Sequence, residues 1–357
     1  MLPDDEARVI DDTALDSREV APFRYSITSY GADYPIDGLV KRLREGDIFV
    51  PPFQRGYVWN TTDASRFVES LLLGLPVPGI FLSKEEKTQK LLVIDGQQRL
   101  KSLLFFYDGV FEPTERRFGL QGVQEQLLGV TYNSLPEEDR RRLDDSIIHA
   151  TIVKQDVPSG DDSSIYYIFE RLNTGGRLLR PQEIRACIYH GPFNDLLREL
   201  NTDQNWRAIF GAPSARLKDQ ELILRFLALH YQWNEYERPM KAFLNSFMGE
   251  NRNFERYDSA TLAREFIQTI GLARAALGAH AFKPEKALNA AVFDAVMVGL
   301  AVRLARGPVG QEAAISDRYD ALLADDQFTS SYQRSTANEE SVHRRIELAI
   351  RAFEPIL

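Results

Sequence analysis

The sequence predicts an α+β protein, with a mixed α and β segment at the N-terminal end and a mostly α-helical remainder. Two patterns point that way. Between 23 and 115, short apolar runs of strand type alternate with helical stripes. Beyond 115, apolar residues recur at helical spacing over most of the length. Composition agrees: of 357 residues, 44% are apolar and 27% charged, the balance of a globular chain rather than a disordered one.

Residues 1–22 read as an acidic flexible tail. Asp4, Asp5, Glu6, Asp11, Asp12, Asp16 and Glu19 stand against Arg8 and Arg18, so this stretch holds over half of the net charge of -9. Asp37 to Glu45 reads as a short helix and Ile48 to Val50 as a strand ended by Pro51 and Pro52. Asp63 is expected to cap a helix bearing Phe67, Val68, Leu71 and Leu72. Ile80 to Leu82 and Leu91 to Ile94 are strands joined by a polar turn from Lys84 to Lys90. Asp95-Gly96-Gln97-Gln98-Arg99 follows, and a helix then runs through Leu100, Leu103, Leu104 and Tyr107 to Asp108-Gly109.

The part from 116 to 357 reads as a mainly helical domain. Ser163 starts a helix through Ile165, Ile168, Phe169 and Leu172, ended by Asn173-Thr174-Gly175-Gly176. Pro181 opens another. A long stripe covers Leu217 to Glu235, and further helices are expected over 239–249, 258–276, 288–306 and 338–353. No apolar run reaches the ~20 residues of a membrane helix, and the acidic start is unlike a secretory signal. A cytoplasmic location without a membrane partner is the expectation.

Several chemistries are excluded at motif level. One cysteine, Cys187, allows no internal disulfide and no cysteine metal cluster. The five histidines are scattered and show no zinc spacing. Neither a G-x-x-x-x-G-K-[ST] loop nor a G-x-S-x-G elbow occurs. Asp294, amid Val292, Phe293, Ala295 and Val296, reads as a buried cap or ion-pair partner.

Three segments can carry chemistry. In the first, a strand runs into Asp95-Gly96-Gln97-Gln98-Arg99. Gly96 lets backbone approach a ligand, the helix start offers N–H groups to phosphate, and Arg99 can fork onto its oxygens. Asp95 can hold a metal ion or orient water; the structural alternative is that it caps the helix while Gln97 and Gln98 bond nearby loops. In the second, Val50-Pro51-Pro52-Phe53-Gln54-Arg55-Gly56-Tyr57-Val58-Trp59, the residues Gln54 and Arg55 can point to the same site, while Phe53, Tyr57 and Trp59 read as core. In the third, Phe169 to Arg177, the Asn173-Gly175-Gly176 loop is a helix end by default and a phosphate cradle otherwise.

Taken together and in this order, these segments resemble the N-terminal domain of GmrSD-type (type IV) restriction proteins. Leu217 to Phe226 and Ala290 to Met297 also look like that family's helical region. The resemblance implies a ParB/sulfiredoxin-like fold over 23–115, with a nucleoside triphosphate in its pocket. It implies catalytic roles for Asp95, Gln98 and Arg99, with Mg²⁺ at Asp95. Gln54, Arg55, Gly96, Gln97, Asn173, Gly175 and Gly176 would then bind nucleotide. Family members with the D-G-Q-Q-R sequence couple triphosphate hydrolysis to a nuclease against modified phage DNA. No HNH-type nuclease core is visible here, so the implied role is an NTP-hydrolysing sensor subunit of a bacterial anti-phage system, partnered by a separately encoded nuclease and by modified DNA. The alternative is a non-catalytic DNA-binding or protein-interaction module using the same pocket.

Overall fold

The computed structural model describes residues 9–11, 26–50, 57–85, 88–157, 163–172, 179–310, 312–333 and 336–356. The chain divides into two compact units. One holds Arg24–Leu179 and Ala186–Ile188; the remainder makes up the other. The α+β class is as the sequence predicts, with a mixed sheet in the first unit and helices in the second.

The first unit is built on a five-stranded sheet. Its strands lie in the order Ser26–Pro35, Ile147–Val157, Ile80–Lys84, Leu91–Asp95 and Ile48–Phe49. Ile147–Val157 pairs antiparallel with Ser26–Pro35 and parallel with Ile80–Lys84, so it lies second from one edge. This corrects the expected domain limit at 115, because a strand more than thirty residues beyond that limit sits inside the sheet. Its sequence, Ile147-Ile148-His149-Ala150-Thr151-Ile152-Val153, has the β-branched residues that fit a pleated surface.

Helices Ile36–Glu45, Thr61–Leu72 and Gln97–Asp108 bury their apolar stripes in one core with one face of the sheet. Leu39, Val40, Val68, Leu100, Leu103 and Phe106 meet Ile80, Leu82, Val93, Ala150 and Ile152 there. Side chains alternate along a strand, so Leu91 and Val93 join this core while Leu92 and Ile94 lie on the other face. Helix Thr61–Leu72 is capped by Asn60, not by Asp63 as expected. Asp63 instead returns the bond from the third helical position, completing a capping box.

In the second unit, helix Ala290–Leu304 is buried almost all round and packs against Lys218–Gln232, Ser259–Leu277 and Glu339–Phe353. A Cβ at Gly299 would lie 2.9 Å from the backbone of Ala349, so glycine permits this close helix crossing. Asp294, in the first half of the buried helix, pairs with Arg225, which bears out the ion-pair reading of that residue. Part of the leader is packed rather than free: Val9–Ile10 pairs in parallel with Leu288–Asn289. Among the described residues, no helix is long and apolar enough to cross a membrane.

Candidate functional site

Strand Leu91–Asp95 emerges from the sheet and turns at Gly96 into helix Gln97–Asp108. Gly96 has φ 102°, a left-handed conformation that favours glycine. A Cβ there would also lie 3.0 Å from Ile80 Cβ and 3.4 Å from Arg99 Nη2. Gly96, not Asp95, is the residue that precedes the helix, and a glycine has no side chain with which to cap it. The first turn therefore presents backbone N–H groups and the positive end of the helix dipole with no acidic residue among them.

Arg99 reaches back across the turn. Its Nη2 donates to Asp95 Oδ2 at 2.6 Å and to the Gly79 carbonyl at 3.0 Å. Its side chain is 15% exposed, against 50% for Asp95. Nε of Arg99 is buried and has no hydrogen-bond acceptor among the described residues. A guanidinium that is half engaged and keeps a buried N–H unsatisfied is suited to gripping an added oxygen. Asp95 Oδ1 accepts no hydrogen bond among the described residues, so one carboxylate oxygen at the strand end is available.

Gln98 faces a different direction. Its Oε1 accepts from the backbone N–H of Val58 at 2.9 Å and of Trp59 at 3.2 Å. It thereby ties the chain that follows the 51–56 segment to the start of helix Gln97–Asp108. A second tie lies one turn on. Ser102 Oγ donates to the Gln98 carbonyl, which leaves Tyr57 O–H to donate to Ser102 Oγ at 2.6 Å. Burial pushes the Tyr57 phenol up to about 12, despite the opposing effect of the Ser102 bond. Tyr57 stands edge-on to Phe105 and Phe111, and Trp59 to Phe67, so both aromatics serve the core.

Asp95, Gly96, Gln97, Gln98 and Arg99 thus share one strand-to-helix turn. Gln54, Arg55, Asn173, Gly175 and Gly176 lie outside the described residues. Sequence reading missed Gly79 and Ile80, which wall the turn from the neighbouring strand. A glycine just ahead of a strand was the available signal.

Residues 36–190 match the family model described as "GmrSD restriction endonuclease, N-terminal domain". This segment belongs to the GmrSD N-terminal domain family. The GmrSD-type domain takes in four of the five sheet strands, the whole 95–99 turn and all three motif segments. It ends at 190, close to where the first compact unit ends at Ile188. The chain is also 32% identical to an uncharacterized protein of Methanocaldococcus jannaschii, over 19% of this chain and 16% of that protein. Among the described residues, no group of three or more His, Cys, Asp or Glu gathers as a metal site.

Proposed function

We propose that this chain is the nucleotide-binding, NTP-hydrolysing component of a restriction or anti-phage system, and that it acts with a separately encoded nuclease. The GmrSD-type domain supports the restriction context. The observation that carries the nucleotide reading is the half-satisfied Arg99 guanidinium beside a helix start preceded by Gly96, which has no side chain to cap it. The helix N–H groups and Arg99 bind phosphate oxygens, and Gly96 lets the backbone come close. Phosphoryl transfer needs mainly positioning and charge stabilisation, which such a turn can provide.

Asp95 fits Mg²⁺ in one restricted mode. A single half-exposed carboxylate would supply one oxygen ligand to Mg²⁺, which would neutralise phosphate charge there. Gln98 acts on the reaction indirectly, by holding the chain that follows Gln54 and Arg55 against the turn.

The test is purified protein with Mg²⁺ and each of the four NTPs, assayed for binding and for phosphate release, with and without unmodified and modified DNA. Release that depends on Mg²⁺ supports the reading. Binding without release under every condition supports the alternative, a module in which nucleotide only stabilises one conformation. Absence of binding removes both.

A further inference from the structure

We propose that His149, oriented by Asp33, takes the proton from the water that attacks the triphosphate, and so is a catalytic residue outside the 95–99 turn. The role rests on the hydrolysis reading of that turn and adds a group the turn lacks. Asp95 is paired with Arg99, and the Gln98 side-chain oxygen is taken up by the Val58 and Trp59 N–H groups. Phosphoryl transfer to water also needs a group that places the nucleophile.

His149 and Asp33 face each other on the paired strands Ile147–Val157 and Ser26–Pro35. His149 Nδ1 lies 2.8 Å from Asp33 Oδ1. An ionised carboxylate only accepts, so Nδ1 donates, and the neutral ring keeps its lone pair on Nε2. Nε2 has no hydrogen-bond partner among the described residues. The two side chains are 62% and 68% exposed, open to water and to a ligand. A carboxylate behind Nδ1 with Nε2 free holds an imidazole in place as a base and stabilises the imidazolium it becomes.

Two glycines make room for this residue. A Cβ at Gly31 would lie 2.7 Å from His149 Cε1 and 3.3 Å from Nε2, so the bare glycine leaves the ring its place beside Asp33. A Cβ at Gly79 would lie 2.7 Å from the His149 carbonyl oxygen. Gly79 is also the residue whose carbonyl accepts from Arg99 Nη2 at 3.0 Å. One residue thus stands between the phosphate-gripping arginine and the His149 backbone. These groups share one end of the sheet: Leu91–Asp95 and Ser26–Pro35 end there, and Ile80–Lys84 and Ile147–Val157 begin there. Strand Ile147–Val157 is two places from Leu91–Asp95 in the sheet, about 10 Å away. A triphosphate bound at the turn and one water cover that distance.

In the step, the water oxygen bonds to the γ-phosphorus while His149 Nε2 takes one of its protons. The bond from the γ-phosphorus to the β–γ bridging oxygen breaks, and its electron pair leaves with the nucleoside diphosphate. The imidazolium, held by Asp33, then gives its proton to solvent. Water and triphosphate are the only reactants consumed.

The test is steady-state phosphate release with Mg²⁺ and each of the four NTPs, under the DNA condition that gives the unaltered chain its highest rate. His149→Ala should lower kcat at least about a hundredfold, as expected on removal of a general base. Its nucleotide affinity, by equilibrium titration, should stay within about twofold of the unaltered chain. Imidazole added to the buffer should restore part of the lost rate to His149→Ala and none to Arg99→Ala. Asp33→Asn should lower kcat at least about tenfold at unchanged KM, because it loosens the ring and not the nucleotide. Both side chains are exposed, so melting temperatures should hardly move. Should His149→Ala be unstable, His149→Gln, which takes up no proton at neutral pH, replaces it. A folded variant that keeps kcat, or that loses affinity at unchanged kcat, would overturn the proposal while leaving hydrolysis at the turn in place. An unaltered chain that binds nucleotide but releases no phosphate would overturn hydrolysis itself, and this role with it.

Discussion

Arg99 gives Nη2 to Asp95 and Gly79 and leaves Nε buried without an acceptor among the described residues. Replacing it with Ala removes a charge-assisted contact of about 1.5–3 kcal/mol, so nucleotide binding should weaken about ten- to hundredfold. Equilibrium titration with a fluorescent nucleotide checks this. Asp95→Asn separates positioning from binding. The Asp95–Arg99 pair is half exposed on the carboxylate side and is worth at most about 1 kcal/mol, so the melting temperature should hardly move. If Asp95 places metal or water, turnover falls about a hundredfold while nucleotide affinity stays near wild type. Unchanged turnover would remove Asp95 from the catalytic residues. In the other unit, Glu221 gives a pH signature. Burial alone would raise its pKa, but Lys218 and Arg185 more than offset this and hold it below the usual carboxylate range. A depressed carboxylate stabilises the fold above its unfolded pKa, and that contribution is lost as pH falls through the folded value. Acid titration should therefore destabilise the unaltered chain more than Glu221→Gln over the acid range, measured as the difference in melting temperature between the two.

At the scale of elements, helix Gln97–Asp108 is tied to the preceding segment by the Gln98 side chain as well as by the Tyr57–Ser102 bond. Gln98→Ala leaves the Val58 and Trp59 N–H groups without their acceptor and should cost about 1–2 kcal/mol, read by urea denaturation. Gln98→Glu keeps an acceptor at the same reach and should restore most of that stability. Turnover that recovers with stability marks a positioning role. Failure of Gln98→Glu to restore turnover in a stable protein would point to direct chemistry by the amide. Helices Gln97–Asp108, Lys218–Gln232 and Ala290–Leu304 and the 95–99 turn were legible in the sequence because their apolar spacing and the glycine exit are local signals. The roles within the turn were less so. Whether Asp95 or Gly96 precedes the helix depends on a single φ angle, and the Gln98 clamp joins residues 39 and 40 positions apart. Strands Ser26–Pro35 and Ile147–Val157 escaped for the same reason: they pair with each other across more than a hundred residues. The start of helix Thr61–Leu72 was displaced by three residues, because two good cap formers, Asn60 and Asp63, stand three apart and both take part.

At the scale of the whole molecule, the sheet sets which fragments can exist. A fragment ending near 115 lacks Ile147–Val157, which leaves Ser26–Pro35 without its ladder partner and Ile80–Lys84 with one open edge. Such a fragment should be unfolded or aggregated, while one spanning 24–190 should give a cooperative thermal transition, followed by circular dichroism. A cooperative transition in the shorter piece would mean that the sheet does not need its long-range strand.

The late arrival of Ile147–Val157 also bears on synthesis. When residue 115 leaves the ribosome, the strands on either side of that position in the sheet already exist, but the one that joins them does not. Until Val157 emerges, Ile80–Lys84 presents an apolar edge on which another nascent chain can settle. Closing the ladder then links Ser26 to Val157 across the whole unit, a contact of long sequence separation that is slow to form. Slowing elongation between 115 and 157 should therefore lower the soluble yield more than slowing it after 190, and holdase chaperones should engage the chain chiefly in that window.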